Sequence, residues 1–194
     1  MEKYPAETRE RLMKDETSIR AVIPCPDGGT IVTLGFPGLA FDVKGDAIID
    51  PERMAATLSA PALETCKLLV ILVEKTEVPE EAWDLLTKAT AKTPYRFVHL
   101  PIEDYQVPDE TFMADWATLA GEIDDHLTAG ATIALSCHYG AGRSGTIAAS
   151  MLIDRGLSMD AAIAEIRSRF ADSIESEKQL TWLAEVERAA RARG

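Results

Sequence analysis

From residue 67 onward, short aliphatic runs alternate with longer segments of helical periodicity, and that alternation leaves few folds open. Lys67 to Val73 is a run of the kind that forms a strand buried on both faces. Pro79 to Thr90 predicts a helix whose Pro-Glu-Glu start places acids at the favourable end. Tyr95 to Ile102 predicts a second strand. Asp109 to Leu127 predicts an amphipathic helix, with Phe112, Trp116, Leu119, Ile123 and Leu127 on one face and Gly130 just past its end. Ala131 to Ser136 predicts a third strand, followed at once by a helix from Arg143 to Asp154 that is apolar nearly all round and so should be central. Two amphipathic helices, Ser158 to Phe170 and Ser176 to Ala190, close the chain. The expectation is an α/β fold with a mostly parallel central sheet flanked by helices. In such sheets ligands gather at the carboxyl ends of the strands.

Upstream the pattern is less regular. Residues 1–20 are dense in charge and suggest an arm or an isolated helix. Residues 21–45 hold a turn-rich stretch, Ile23 to Thr30, and then a strand-like run, Ile31 to Phe36, which together predict a small N-terminal β element. Pro51 to Ala60 fits a helix with proline in its first turn. With 194 residues, the expected organisation is one domain over 1–194.

Charge and cysteine content narrow the function classes. A net charge of −12 disfavours tracking a nucleic-acid backbone or an anionic membrane, because both reward lysine and arginine. The longest aliphatic run, Leu68 to Val73, is far shorter than the roughly 20 residues of a spanning helix, and Met1 to Glu16 contains no apolar run. A cytoplasmic protein with neither nucleic-acid nor membrane partners is expected. Three cysteines without an export signal argue against a disulfide framework, so each thiol needs its own explanation.

One of them has a strong explanation. The segment Ser136-Cys137-His138-Tyr139-Gly140-Ala141-Gly142-Arg143-Ser144 joins the third strand to the apolar helix, and residues 137–144 predict a phosphate-binding loop. Glycines let the backbone fold back so that successive N–H groups of His138, Tyr139, Gly140, Ala141 and Gly142 point inward around an anion. The helix start adds its partial positive charge at the same point. Arg143 can give two parallel hydrogen bonds to phosphate oxygens, which lysine cannot. Such surroundings favour the thiolate, the nucleophilic form of a cysteine, and Ser144 can donate to the sulfur as it departs.

At these residues the sequence resembles the cysteine phosphatases that share Cys-x5-Arg-Ser/Thr, and most of all the dual-specificity branch related to the cyclin-dependent-kinase-associated phosphatase and its bacterial relatives. Phe97 to Asp109 is similar to that branch's general-acid segment, Ile174 to Gln179 to its late glutamine-bearing loop, and Asp27 to Gly38 to its N-terminal β element. The resemblance spans residues 20–190. It implies a protein-tyrosine-phosphatase-like fold with a central sheet of about four or five strands. It further implies hydrolysis of phosphomonoesters in phosphorylated proteins or peptides through a phosphocysteine intermediate, with no metal and no organic cofactor. One departure stands out: the family usually has histidine before the catalytic cysteine, and this chain has Ser136.

The resemblance makes Cys137 the nucleophile, Arg143 the phosphate grip and Asp104 the general acid, with Gln179 positioning the hydrolytic water. From the residues alone, Glu103, Asp109 and Glu110 compete with Asp104, and Gln179 equally suits an exposed helical face. Glu74 or Glu77 follows the first aliphatic strand and is placed to pair with Arg143. Cys25 and Cys66 fit best as structural thiols. Rival enzyme classes are a phosphoinositide phosphatase, disfavoured because His138 to Gly142 contains no lysine, and an RNA triphosphatase, disfavoured by charge. A sulfurtransferase would leave Asp104 without a task. A phosphopeptide-binding module would typically lack the cysteine or the acid.

Overall fold

The computed structural model describes residues 16–42 and 44–193, so most of the expected charged arm lies outside the described residues. The aliphatic runs form strands β1 (Ile19–Pro24), β2 (Thr30–Gly35), β5 (Cys66–Ile71), β6 (Arg96–His99) and β7 (Thr132–Cys137). They make one five-stranded sheet in the order β1-β2-β7-β5-β6. Every pairing is parallel except that of β1 with β2. A short antiparallel pair, β3 (Leu39–Phe41) and β4 (Ala47–Ile49), stands beside it. The expected mostly parallel α/β architecture is therefore present.

The N-terminal β element is part of the main sheet: β2 pairs in register along the whole of β7, from Thr30 opposite Thr132 to Gly35 opposite Cys137. The reason is compositional. Ile31, Val32 and Leu34 are fully buried and supply aliphatic side chains to both faces of the sheet, which only an interior strand can satisfy. β1 in turn covers the outer edge of β2. Because it runs antiparallel, its first residues, Ile19 and Arg20, lie at the carboxyl edge shared by the other strands.

Helices cover both faces: α1 (Pro51–Leu58) and α2 (Glu81–Thr90) on one, α3 (Glu110–Thr128), α4 (Gly142–Asp154), α5 (Met159–Arg169) and α6 (Glu177–Arg193) on the other. Side chains alternate along β7. Ala134 joins Val32, Leu34, Leu69, Ile71 and Leu86 on the first face. Ile133, Leu135 and Cys137 join Leu68, Val70, Ile147 and Leu152 on the second. That alternation turns Cys137 toward the start of α4. Helix α4 is buried at Gly142 to Ile153, as its all-round apolar sequence requires.

Candidate active site

Parallel pairing brings the carboxyl ends of β2, β5, β6 and β7 to one edge, and the segments that follow them converge there. After β7 the chain turns through His138 to Ala141 and enters α4 at Gly142, one residue earlier than the sequence suggests. Three peptide carbonyls of this turn face outward. His138 O accepts from Phe36 N at 3.3 Å, Tyr139 O from Arg20 Nε at 3.0 Å, and Ala141 O from Ile174 N at 3.3 Å and Gly145 N at 3.0 Å. In a trans peptide the N–H points opposite to its C=O, so the amides of Tyr139, Gly140 and Gly142 point inward. Gly140 N–H donates to Cys137 Sγ at 3.2 Å, and Ser144 Oγ lies 3.4 Å from the same sulfur.

Glycine is required at position 140. Its φ is +95°, and an added Cβ would stand 2.5 Å from Gly35 N and 2.7 Å from the Arg20 Cγ.

Arg143 is buried and meets the segments after β5 and β6. Nη1 and Nη2 donate to Glu77 Oε1 and Oε2 at 2.5 and 2.8 Å, in a fork-to-fork pair. Nη1 also donates to Ile102 O at 2.8 Å, and Nη2 lies 3.1 Å from Asp104 Oδ1. Burial opposes the guanidinium charge, but Glu77, the Cys137 sulfur and Asp104 outweigh it and push the pKa up, so Arg143 is a fixed cation. Of the two acids after β5, Glu77 is thus the partner. Glu74 instead opens the short 3-10 turn Lys75–Glu77, its N–H bound to Glu77 Oε1 at 2.8 Å.

The four acids after β6 take different places. Asp109 caps α3 by accepting from Phe112 N at 2.7 Å, and Glu110 lies exposed in that helix's first turn. Glu103 is exposed. Asp104, a third exposed, is the one of the four with an ion pair to Arg143. Its neighbour Tyr105, at φ 60°, bends the chain there, and Tyr105 O accepts from Ser176 Oγ at 3.4 Å. Lys178 Nζ donates to Gln106 Oε1 at 2.8 Å, a second link from the start of α6 to the Asp104 turn.

That same segment supplies two further groups. Gln179 is fully buried rather than on an exposed helical face; its Oε1 accepts from Glu175 N at 2.8 Å and Ser176 N at 3.2 Å. Its Nε2 is buried without a hydrogen-bond partner among the described residues, close to Gly142. Glu175, to which the sequence assigned no role, accepts from the Gly142 N–H. Glu175 is exposed as a residue, but lost hydration around its carboxyl raises its pKa, and Asp104 adds to this; the Gly142 amide and Arg143 pull the other way. Arg20 is the other residue that sequence reasoning missed, having been placed in the charged arm.

The remaining thiols are remote and differ in kind. Thr132, five positions before Cys137 on β7, is paired with Cys66 on β5, which puts Cys66 roughly 16 Å away at the strand rise. Cys25 follows Pro24 at that same far end of the sheet. Both thiols are beyond disulfide reach of Cys137. Burial pushes Cys25 up to about 11 and Cys66 up to about 12, so both stay protonated and inert. Among the described residues, no cluster of histidine, cysteine and acids is arranged to hold a metal ion.

A thiol at the end of a buried strand, inward amides, a helix start and a clamped arginine form a cradle suited to an anion, with the thiol at its base. The family model for "Polymorphic toxin system, DSP-PTPase phosphatase" matches residues 52–157, which include Glu77, Asp104, Cys137 and Arg143. The chain belongs to this family. It is a cysteine-based phosphatase of the dual-specificity superfamily.

Solved phosphatases share the fold. The kinase-associated phosphatase KAP, in a form whose catalytic-site cysteine is replaced by serine, superposes with a TM-score of 0.67 at 19% identity, covering 92% of this chain and 99% of that one. Tk-PTP in its active form gives 0.62 at 22% identity, covering 88% and 97%. PTPMT1, in complex with PI(5)P, gives 0.61 at 17% identity, covering 89% and 97%. Curated proteins offer no match. The family match ends before Glu175 and Gln179 and begins after Arg20, so this phosphatase completes its site with residues outside the matched region.

Proposed function

We propose that this DSP-PTPase phosphatase removes phosphate from tyrosine, and from serine or threonine, in phosphorylated proteins, through a phosphocysteine intermediate on Cys137. The observation that carries the reading is the Cys137 sulfur held by the Gly140 amide in a cradle whose cation, Arg143, is locked by Glu77. Glu77 takes the end of the guanidinium, so its Nε–Nη2 edge is the one offered to phosphate. An arriving phosphate replaces Asp104 on Nη2 and frees that carboxyl for proton transfer.

In the first step the thiolate attacks phosphorus in line, a sulfur–phosphorus bond forms and the phosphorus–oxygen ester bond breaks. The protonated Asp104 gives its proton to the leaving oxygen while Arg143 and the amides of His138 to Gly142 hold the equatorial oxygens. In the second step water attacks phosphorus and Asp104, now a carboxylate, takes its proton. The thiolate leaves, steadied by the Ser144 hydroxyl. The unpaired Gln179 Nε2 is suited to holding that water. No step needs a metal or an organic cofactor.

PTPMT1 was solved with a phosphoinositide, which makes lipid phosphate the rival substrate. Here the loop His138 to Gly142 has no lysine, and Asp104 and Glu175 both stand beside the phosphate position, which disfavours a ligand carrying several phosphates. A protein substrate fits better. Among the described residues no helix is long and apolar enough to cross a membrane. The cytoplasm, which keeps thiols reduced, is the setting we propose.

The test is turnover by wild-type protein and Cys137→Ser on para-nitrophenyl phosphate, a phosphopeptide panel and phosphoinositides. Phosphopeptide turnover that vanishes in the serine variant is expected, with vanadate binding retained by the surviving amides. Preference for the lipids would transfer the assignment to them. Activity in Cys137→Ser above about a thousandth of wild type would make another residue the nucleophile.

A further inference from the structure

We propose that Arg20 is the positioning residue that aims the Gly140 amide at the Cys137 sulfur, in the place of the missing histidine before the cysteine. Arg20 stands at an irregularity in the β1–β2 pairing. Ile19 is opposite Leu34 and Ala21 opposite Thr33, so two steps on β1 face one step on β2 and Arg20 is the extra residue. A bulge of this kind bends the strand and re-aims a side chain. The side chain reaches the outer wall of the phosphate loop, 119 positions along the chain. Its Nε donates to Tyr139 O at 3.0 Å and its Nη1 to Ile19 O at 3.2 Å. The guanidinium lies 5.2 Å from the Tyr139 ring centre and 6.0 Å from that of Phe170, within cation–π range.

The contact falls on the peptide whose amide meets the sulfur. Tyr139 C=O and Gly140 N–H belong to the same plane, so a donor outside holds the other end inside, at 3.2 Å from Cys137 Sγ. Nothing intrinsic to glycine keeps that plane in place, since it tolerates φ of either sign. A flip would aim a carbonyl at the sulfur and repel the thiolate. The His138 and Ala141 carbonyls are held outward by backbone amides; the Tyr139 carbonyl is held by a charged side chain. Ser136, meanwhile, offers no cation: it is fully buried and its hydroxyl donates to Gly35 O at 3.3 Å. Arg20 brings positive charge to the loop from the opposite side of that strand.

Other charged groups also face this peptide and its sulfur. Arg143 stands beyond Cys137 with Glu77 and Asp104 on it, Glu175 lies at Gly142, His138 is adjacent in the loop, and Asp172 accepts from the Tyr139 hydroxyl at 3.2 Å. All of them remain when Arg20 is replaced, so the substitution isolates its share.

The proposal rests on Cys137 as the reactive thiol, but its test does not need turnover. Iodoacetamide alkylation is followed across pH at the Cys137 peptide by mass spectrometry, for wild type, Arg20→Met and Arg20→Gln. Methionine keeps an apolar stem against Gly140 and loses the donor; glutamine keeps a neutral donor. In Arg20→Met the midpoint of the profile should move up by about one pH unit, with alkylation about tenfold slower below it. Arg20→Gln should recover part of the shift. A wild-type profile in folded Arg20→Met overturns the proposal even if Cys137 proves catalytic. Conversely, a shifted profile in a protein that turns over no phosphomonoester leaves Arg20 in place and removes the phosphatase reading. Should Arg20→Met lose cooperative unfolding, Arg20→Leu is read instead: it too keeps an apolar stem and loses the donor, and an unshifted profile there is likewise fatal.

Discussion

Glu77 meets Arg143 end-on, one carboxylate oxygen on each terminal nitrogen, and both side chains are nearly sealed from solvent at 10% and 3% exposure. Such a pair contributes little net stability over an apolar one, yet breaking it leaves a buried cation to a partly exposed Asp104 and the Ile102 carbonyl. Glu77→Ala should therefore cost about 3–5 kcal/mol of folding stability in urea melts. Glu77→Gln, which keeps one acceptor, should cost less while still lowering kcat/KM at least about tenfold, because the guanidinium is no longer held in one orientation. Equal stability in Glu77→Ala and wild type would mean that Arg143 finds another partner.

Asp104→Asn separates proton donation from charge. General acid catalysis is worth roughly 10²–10⁴-fold, and most where the leaving group is poor. Phenyl phosphate turnover should fall about a hundredfold, that of an activated aryl phosphate by less than about tenfold. Because Asp104 also sits on Arg143 Nη2, the neutral variant should bind inorganic phosphate at least as tightly as wild type. Equal losses for both substrates, or weaker phosphate binding, would assign Asp104 a structural task and leave the acid to be found elsewhere.

The buried site of Ser136 predicts a cost for restoring the family's usual residue. Its side chain is fully buried at the end of β7, with Gly35 O as hydrogen-bond partner. Forcing an imidazole into this space should destabilise the protein by about 1–3 kcal/mol, the usual range for overpacking. Thermal melts of Ser136→His check this, and an unchanged melting temperature would show that the layer has room.

What the sequence disclosed and what it withheld differ by range. The turn from Cys137 into α4 was legible because its cysteine, glycines and arginine lie within seven positions, so local backbone rules suffice. The strands and helices were legible because burial on both faces or on one writes its period directly into the chain. Glu77 could not be separated from Glu74, since both follow β5 and only the 3-10 turn decides which one swings to Arg143. The burial of Gln179 was hidden because helix α6 is only weakly amphipathic and its first turn is covered by the phosphate loop. Arg20 was out of reach altogether: its partner is 119 positions away, and a bulge in an edge strand leaves no trace in composition.

Glu175 predicts a stability difference whose dependence on pH has a definite sign. Lost hydration around its carboxyl raises the pKa of this otherwise exposed residue above the usual 4.5, Asp104 and Asp172 raise it further, and the Gly142 amide and Arg143 only partly offset them. A carboxyl whose folded pKa exceeds its unfolded one keeps, between the two values, a proton that the unfolded chain has already released. Its stabilising share is complete below the unfolded value and is lost as pH rises through the folded one. Glu175→Gln keeps the shape and an acceptor for the Gly142 amide without the titration. The melting temperature of the variant minus that of wild type should therefore be smallest at acid pH. It should grow more positive as pH rises past the ordinary carboxylate range, then level off. The same carboxylate competes with phosphate for the Gly142 amide, so at neutral pH the variant should bind inorganic phosphate more tightly. A difference in melting temperature that stays flat from pH 4 to 8, or becomes more negative, would show that Glu175 is ionised in the folded protein at no cost.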